Sequence, residues 1–124
     1  NQRQAIQAIR EAEEHDGPAI VVAYSQCIAH GIDMRKGMNQ QKLAVECGYW
    51  PLMRYNPKLV EEGKNPFVLD SKKPTIPLKD YAYNEVRYTT LIKSDPEEAA
   101  RLLELAQKDV DDKWKTYETR ASQG

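Results

Sequence analysis

Cys27 and His30 stand three residues apart in the run SQCIAHG (25–31), and their types and spacing are the ones in this chain best suited to chemistry. A thiol beside an imidazole is the pairing of a nucleophilic cysteine, but no neighbouring residue supplies an orienting third group or an oxyanion donor. A thiolate is equally a soft metal ligand. The second cysteine, Cys47, follows Leu43 by four residues on an expected helix, a spacing that turns it inward as a small hydrophobe. His15 reads as a solvated helix-end residue, and neither histidine takes part in a His-x-x-x-His or His-Glu-x-x-His spacing that would make a self-contained zinc site. An iron-sulfur cluster held by cysteine alone needs four thiolates, so with Cys27 and Cys47 only, any such site must borrow ligands from outside the chain. The acidic groups at Glu13 and Glu14, Glu61 and Glu62, and Asp109, Asp111 and Asp112 read as solvated faces. Glycines fall at 17, 31, 37, 48, 63 and 124, so neither G-x-G-x-x-G nor G-x-x-x-x-G-K-[ST] can be written and no nucleotide-phosphate loop is visible.

The elements that must position these residues are marked by periodicity and breakers. Over residues 2–14, Ala5, Ile6, Ile9 and Ala12 recur on one face among Gln, Arg and Glu, which predicts a half-buried helix. Asp16, Gly17 and Pro18 stop it. Residues 19–24 (AIVVAY) are continuously apolar between breakers, which predicts a strand covered on both faces, as in parallel sheets. Residues 25–37 then form a loop at the carboxyl end of that strand, where open α/β sheets place their ligands. This position separates Cys27 from Cys47, although spacing alone favours an inert loop thiol; His30 is open between a functional and a structural role, with the structural one favoured.

Residues 39–47 predict a short helix with Leu43, Ala44 and Cys47 inward, closed by Gly48. Residues 49–55 (YWPLMRY) predict a strand with an irregular or edge start at Pro51. The Pro-, Gly- and Lys-rich residues 56–78 read as an extended arm with a short strand at 67–69, and residues 80–92 as weakly helical, anchored by Tyr81, Tyr88 and Leu91. At 94–97, Ser-Asp-Pro-Glu reads as an N-cap, a first-turn Pro and a capping box opening a helix toward Thr119. Its stripe is Ala99, Leu102, Leu103, Ala106, Val110, Trp114 and Tyr117. The expected fold class is α/β, with parallel-type strands near 19–24 and 49–55 flanked by helices near 3–14, 39–47 and 96–118.

With 18 Lys and Arg against 19 Asp and Glu in 124 residues, the chain lacks the net positive charge that neutralising a nucleic-acid backbone requires. No run approaches the roughly 18 apolar residues that span a bilayer, so neither nucleic acid nor membrane is an expected partner. Two cysteines fall short of a disulfide framework, which points to a cytoplasmic setting. The first residues enter a helical pattern with no initiating Met, as expected of a piece of a longer chain.

Three stretches, GPAIVVAYSQCIAHG (17–31), AVECGYWPLMRYNP (44–57) and EEGKNPFVLDSKKPT (61–75), together resemble the C-terminal end of the pyruvate:ferredoxin (or flavodoxin) oxidoreductases, the large single-chain 2-oxoacid oxidoreductases. The resemblance runs from about Ala12 and thins past about Pro96. It implies a multidomain, usually dimeric enzyme that decarboxylates pyruvate oxidatively on thiamine diphosphate with magnesium and passes the acetyl unit to coenzyme A. Electrons are implied to leave through 4Fe-4S clusters to ferredoxin or flavodoxin. It further implies a cluster held by three cysteines upstream and a fourth in the loop matching residues 24–28, so Cys27 is the expected metal ligand. The family's Gly-Asp-Gly cofactor motif is absent here. Residues 1–57 are therefore expected to be the distal part of a thiamine-diphosphate-binding α/β domain, 58–78 an arm and 79–124 a C-terminal helical region, inactive without the remainder of the parent chain. Gln26 stands where many relatives are expected to carry Pro, which alters loop stiffness and leaves the ligand in place. A reading of a different class stands beside this one: a non-catalytic module docking through the 56–78 arm and the long helix onto a partner or a second subunit.

Overall fold

Pro96 has no N–H to leave unpaired and its fixed φ suits a first helical turn, so the chain commits there to its longest element. The computed structural model describes residues 1–123. In chain order they form α1 (Gln2–Glu13), 3₁₀ turns at Ile28–His30 and Met34–Lys36, α2 (Gly37–Glu46), β1 (Met53–Tyr55), α3 (Lys58–Glu61), β2 (Phe67–Leu69), α4 (Leu78–Ala82), α5 (Val86–Ser94) and α6 (Pro96–Ser122). The cap of α6 is Asp95, whose Oδ1 accepts from Glu98 N at 3.0 Å. Ser94, expected as the cap, instead ends α5, its hydroxyl donating back to the Thr90 and Leu91 carbonyls.

The core lies where α2, α4 and α6 meet, around Ala44, Cys47, Leu78, Tyr81, Ala82 and Val110. α5 packs along α6, and both α4 and β2 also rest on it. Of the stripe read on α6, Ala99, Val110 and Trp114 are buried, whereas Leu102 is exposed.

β1 and β2 pair antiparallel, Met53 opposite Leu69, Arg54 opposite Val68 and Tyr55 opposite Phe67. The hairpin docks on the end of α6: Phe67 stacks on Tyr117 with centroids 6.2 Å apart, and Asn65 Nδ2 donates to the Arg120 and Ala121 carbonyls. Those carbonyls have no partner within the helix, so the arm caps it. Residues 56–78 are thus less extended than expected, folding into α3 and β2. Residues 80–92 resolve into two helices, α4 and α5.

Helices mixed with a small sheet agree broadly with an α/β class, but the parallel-type strands are not formed. Residues 18–27 carry no helix or strand, with Ile20 88% and Val22 71% exposed. A parallel strand takes its ladder partners from sequence-distant segments, and the two strands among the described residues pair with each other. The second expected strand shrinks from 49–55 to Met53–Tyr55 because Trp50 N is spent on the Ala44 carbonyl at the end of α2, and Pro51 has no donor.

α1 departs from expectation as well. None of its residues is buried, and Ile6 and Ile9 lie open. Polar contacts tie it down: Arg54 donates through Nε and Nη2 to both Asp70 oxygens at 2.8 Å and through Nη1 to Glu11, while Gln4 Nε2 reaches Asp70 at 3.1 Å. Burial alone would raise the Asp70 pKa, but the Arg54 and Gln4 hydrogen bonds override it and hold the carboxyl below its ordinary value.

Gly48 ends α2 in the left-handed conformation, φ +80°, and a Cβ there would stand 2.7 Å from Pro74 Cγ and 3.2 Å from Val110 Cγ1. Gly48→Ala therefore combines backbone strain with core overpacking. The expected loss is about 2 to 4 kcal/mol, read from urea unfolding midpoints against the parent sequence.

Candidate functional site

The Cys27 loop begins at Tyr24, whose ring packs against Tyr49 at 6.1 Å and Trp50 at 5.4 Å between centroids. Its hydroxyl shares a 2.7 Å hydrogen bond with the hydroxyl of Tyr81, which stacks on Tyr49 at 4.7 Å. Burial raises the pKa of both phenols, so the pair stays neutral, with one hydroxyl donating and the other accepting.

Beyond Cys27 the chain closes a 3₁₀ turn, His30 N donating to the Cys27 carbonyl at 3.0 Å and Gly31 N to that of Ile28 at 2.9 Å. Gly31 sits at φ +72°, and its carbonyl accepts from Val86 N at 3.1 Å. A Cβ there would fall 2.4 Å from Val86 Cβ, so only glycine lets the loop approach α5 this closely. Before Cys27, the Gln26 side chain lies against Gly37 at the start of α2.

Under the loop is Glu85, fully buried. Gln40 Nε2 donates to its Oε1 at 3.0 Å and to the Tyr81 carbonyl at 3.0 Å, and Arg87 Nε donates to its Oε2. His30 Nδ1 faces the same Oε2 at 3.9 Å. Burial opposes the charge on Arg87, but the Glu85 carboxylate beside it raises its pKa overall. The guanidinium lies 4.7 Å from the ring centroid of Tyr88, a phenol pushed up to about 12 by burial and by Tyr49.

Cys27 is a free, exposed thiol, whereas Cys47 is free and fully buried, its Sγ donating to the Ala44 carbonyl at 3.6 Å. Burial pushes the Cys47 thiol up, which suits an inert packed side chain. The structure does not complete a Cys-His nucleophile: His30 Nδ1 is turned to Glu85, and no third group orients it toward a thiolate. Glu13, Glu14, Glu61, Glu62, Asp109, Asp111 and Asp112 are exposed.

Among the described residues, no three or more His, Cys, Asp or Glu side chains gather where they could hold a metal ion. Cys27 stands apart from other metal-ligating side chains as a single accessible thiol on a loop held at both ends. Shallow depressions along α1, lined by Arg3, Ile6 and Arg10, and near the end of α6, lined by Lys115, Thr119 and Arg120, do not include Cys27. No helix among the described residues is long and apolar enough to cross a membrane.

Sequence reading missed Glu85. Its partners lie far along the chain at Gln40 and His30, and the available signal was one acid and one arginine set among Tyr81, Tyr83 and Tyr88.

No family model matches the chain. It is 54% identical, over 96% of its length, to a pyruvate-flavodoxin oxidoreductase of Nostoc sp.. It is 48% identical, over 95%, to a pyruvate:ferredoxin oxidoreductase of Moorella thermoacetica. With a mitochondrial NADP(+) pyruvate dehydrogenase of Euglena gracilis it shares 43% identity over 80% of its length. The chain spans 10% of the first two proteins and 6% of the third. Identity at this level over nearly the whole chain places it with the pyruvate-flavodoxin and pyruvate:ferredoxin oxidoreductases, as a homologue of one short segment of them.

Proposed function

We propose that this chain is the distal part of a thiamine-diphosphate-binding domain in a pyruvate:ferredoxin or pyruvate:flavodoxin oxidoreductase, and that Cys27 supplies one thiolate to a 4Fe-4S cluster. The observation that carries the reading is the exposed Cys27 thiol on a loop anchored at both ends, directly after an apolar segment that no strand among the described residues covers. When bound, the cluster takes up and passes on single electrons. The chain's own residues hold the ligand in place. Tyr24 fixes the loop's entry through Tyr81, Gly31 fixes its exit through Val86, and Cys27 projects between them.

The remaining thiolates and the diphosphate and magnesium ligands belong, on this reading, to the rest of the parent chain. Residues 19–24 enter that domain's parallel sheet. The parent works as a cytoplasmic homodimer on pyruvate and coenzyme A, with ferredoxin or flavodoxin taking the electrons. The open apolar side chains Ile6, Ile9 and Ile20 also suit a non-catalytic module bound to a partner. Iron content of the full-length protein separates the two readings, because such a module would be colourless.

The proposal assigns thiamine diphosphate to sequence outside these residues. Titration calorimetry with cofactor and magnesium is expected to give no heat of specific binding for the 124-residue chain and saturable binding for the full-length enzyme. Specific micromolar binding by the chain alone would contradict the assignment.

A further inference from the structure

Cys27 stands on an arch with both feet on one short stretch of chain. Three residues before it, the Tyr24 hydroxyl meets that of Tyr81; four residues after it, the Gly31 carbonyl meets Val86 N, and His30 faces Glu85. Tyr81, Glu85 and Val86 all belong to the corner between α4 and α5. The apex is free: Cys27 is exposed and Ile28 is 73% exposed.

The centre of this corner is a carboxylate with no exposure to solvent. Removing a charge from water costs several kcal/mol, and well-packed apolar residues in its place are often neutral or stabilising. Stability alone is therefore a weak reason to bury Glu85. What the carboxylate does provide is directional contacts to separate elements. Gln40 arrives from α2, Arg87 from α5 and His30 from the loop, and Gln40 also donates to the Tyr81 carbonyl beneath Tyr24. Arg87 Nη2 reaches the Tyr81 hydroxyl at 3.4 Å, which joins the two feet of the arch. Hydrogen bonds from Gln40 and Arg87 to the two carboxylate oxygens fix the corner in one arrangement where an apolar patch would admit several, while His30 Nδ1 stands close to it without a hydrogen bond of its own.

We propose that Glu85 is a positioning residue, and that the corner built on it sets the backbone of residues 24–31 so that the Cys27 thiolate is presented in a fixed direction. This rests on reading Cys27 as a ligand. Glu85 acts through the loop and touches no reacting atom.

The test uses the full-length, cluster-loaded oxidoreductase carrying Glu85→Ala, Glu85→Gln, Val110→Ala or Cys27→Ser. Val110 is buried on α6 in the same core as Tyr81 but takes no part in the Glu85 hydrogen bonds, and controls for lost stability. Glu85→Ala is expected to raise amide exchange over residues 24–31 by about tenfold or more, beyond any change in Val110→Ala, because the opening free energy of that unit falls. It is also expected to shift the electron paramagnetic resonance spectrum and midpoint potential of one cluster, with Glu85→Gln intermediate because one acceptor oxygen survives. If Glu85→Ala does not accumulate, Glu85→Gln against Val110→Ala carries the same comparison. Exchange over 24–31 no greater than in Val110→Ala overturns the proposal, and so does a loosened loop with an unaltered spectrum. A Cys27→Ser enzyme that keeps every cluster would instead remove the ligand reading, and the exchange comparison would still decide whether the corner holds the loop.

Discussion

Cys27→Ser in the full-length oxidoreductase is expected to remove or convert one 4Fe-4S cluster and to collapse pyruvate-dependent electron output. A hydroxyl is a poorer iron ligand than a thiolate, and three sulfurs cannot close a site built for four. The fold should be indifferent to the change, because Cys27 is exposed and its backbone contacts do not depend on its side chain. Stability is expected to move by less than about 0.5 kcal/mol apart from the loss of bound cluster. Cys47→Ser should do the opposite. That thiol is fully buried among Ala44, Leu78 and Tyr81, so a hydroxyl there costs roughly 1 to 3 kcal/mol while every cluster is retained. Iron analysis with electron paramagnetic resonance, run beside thermal unfolding on both variants, reads the contrast. A Cys27→Ser enzyme with its full iron content would return Cys27 to an ordinary loop thiol.

The second large effect concerns residues 19–24. Ile20→Asp or Val22→Asp should be nearly silent in the isolated chain, within about 0.5 kcal/mol, because these side chains are 88% and 71% exposed. In the full-length enzyme the same substitutions should prevent a folded product or cost several kcal/mol, since an unpaired carboxylate would then lie between the layers of a parallel sheet. Thermal unfolding followed by circular dichroism on both lengths of chain makes the comparison. Equally small effects in both would mean that this segment enters no sheet.

Those same residues explain where sequence reading stopped. The run AIVVAY states its own preference for extended, doubly covered backbone, but the segment forms no strand here; what it cannot state is its partners, which a parallel strand takes from distant sequence. The stripe of α1 failed for the same reason: Ile6 and Ile9 mark an apolar face that the described residues leave open. Local chemistry was more legible. Gly48 closing α2, Pro96 opening α6 and the inward turn of Cys47 each rest on contacts within a few residues or on one helical period. The Ser94 cap was misplaced by one residue because Asp95 offers a better acceptor beside it. Of the candidate site, Cys27 in a loop after an apolar run was readable, while the Tyr24–Tyr81 and Gly31–Val86 contacts that hold that loop span more than fifty residues each and leave no periodic trace.

On the proposed reading, the Cys27 sulfur is bonded to iron. Anomalous diffraction from crystals of the full-length oxidoreductase, collected on either side of the iron absorption edge, tests it without reference to activity. An iron-specific peak is expected at bonding distance from Cys27 Sγ, shared with sulfurs from elsewhere in the parent chain, and none beside Cys47. Iron found only at other cysteines, with the Cys27 thiol free in solvent, would contradict it.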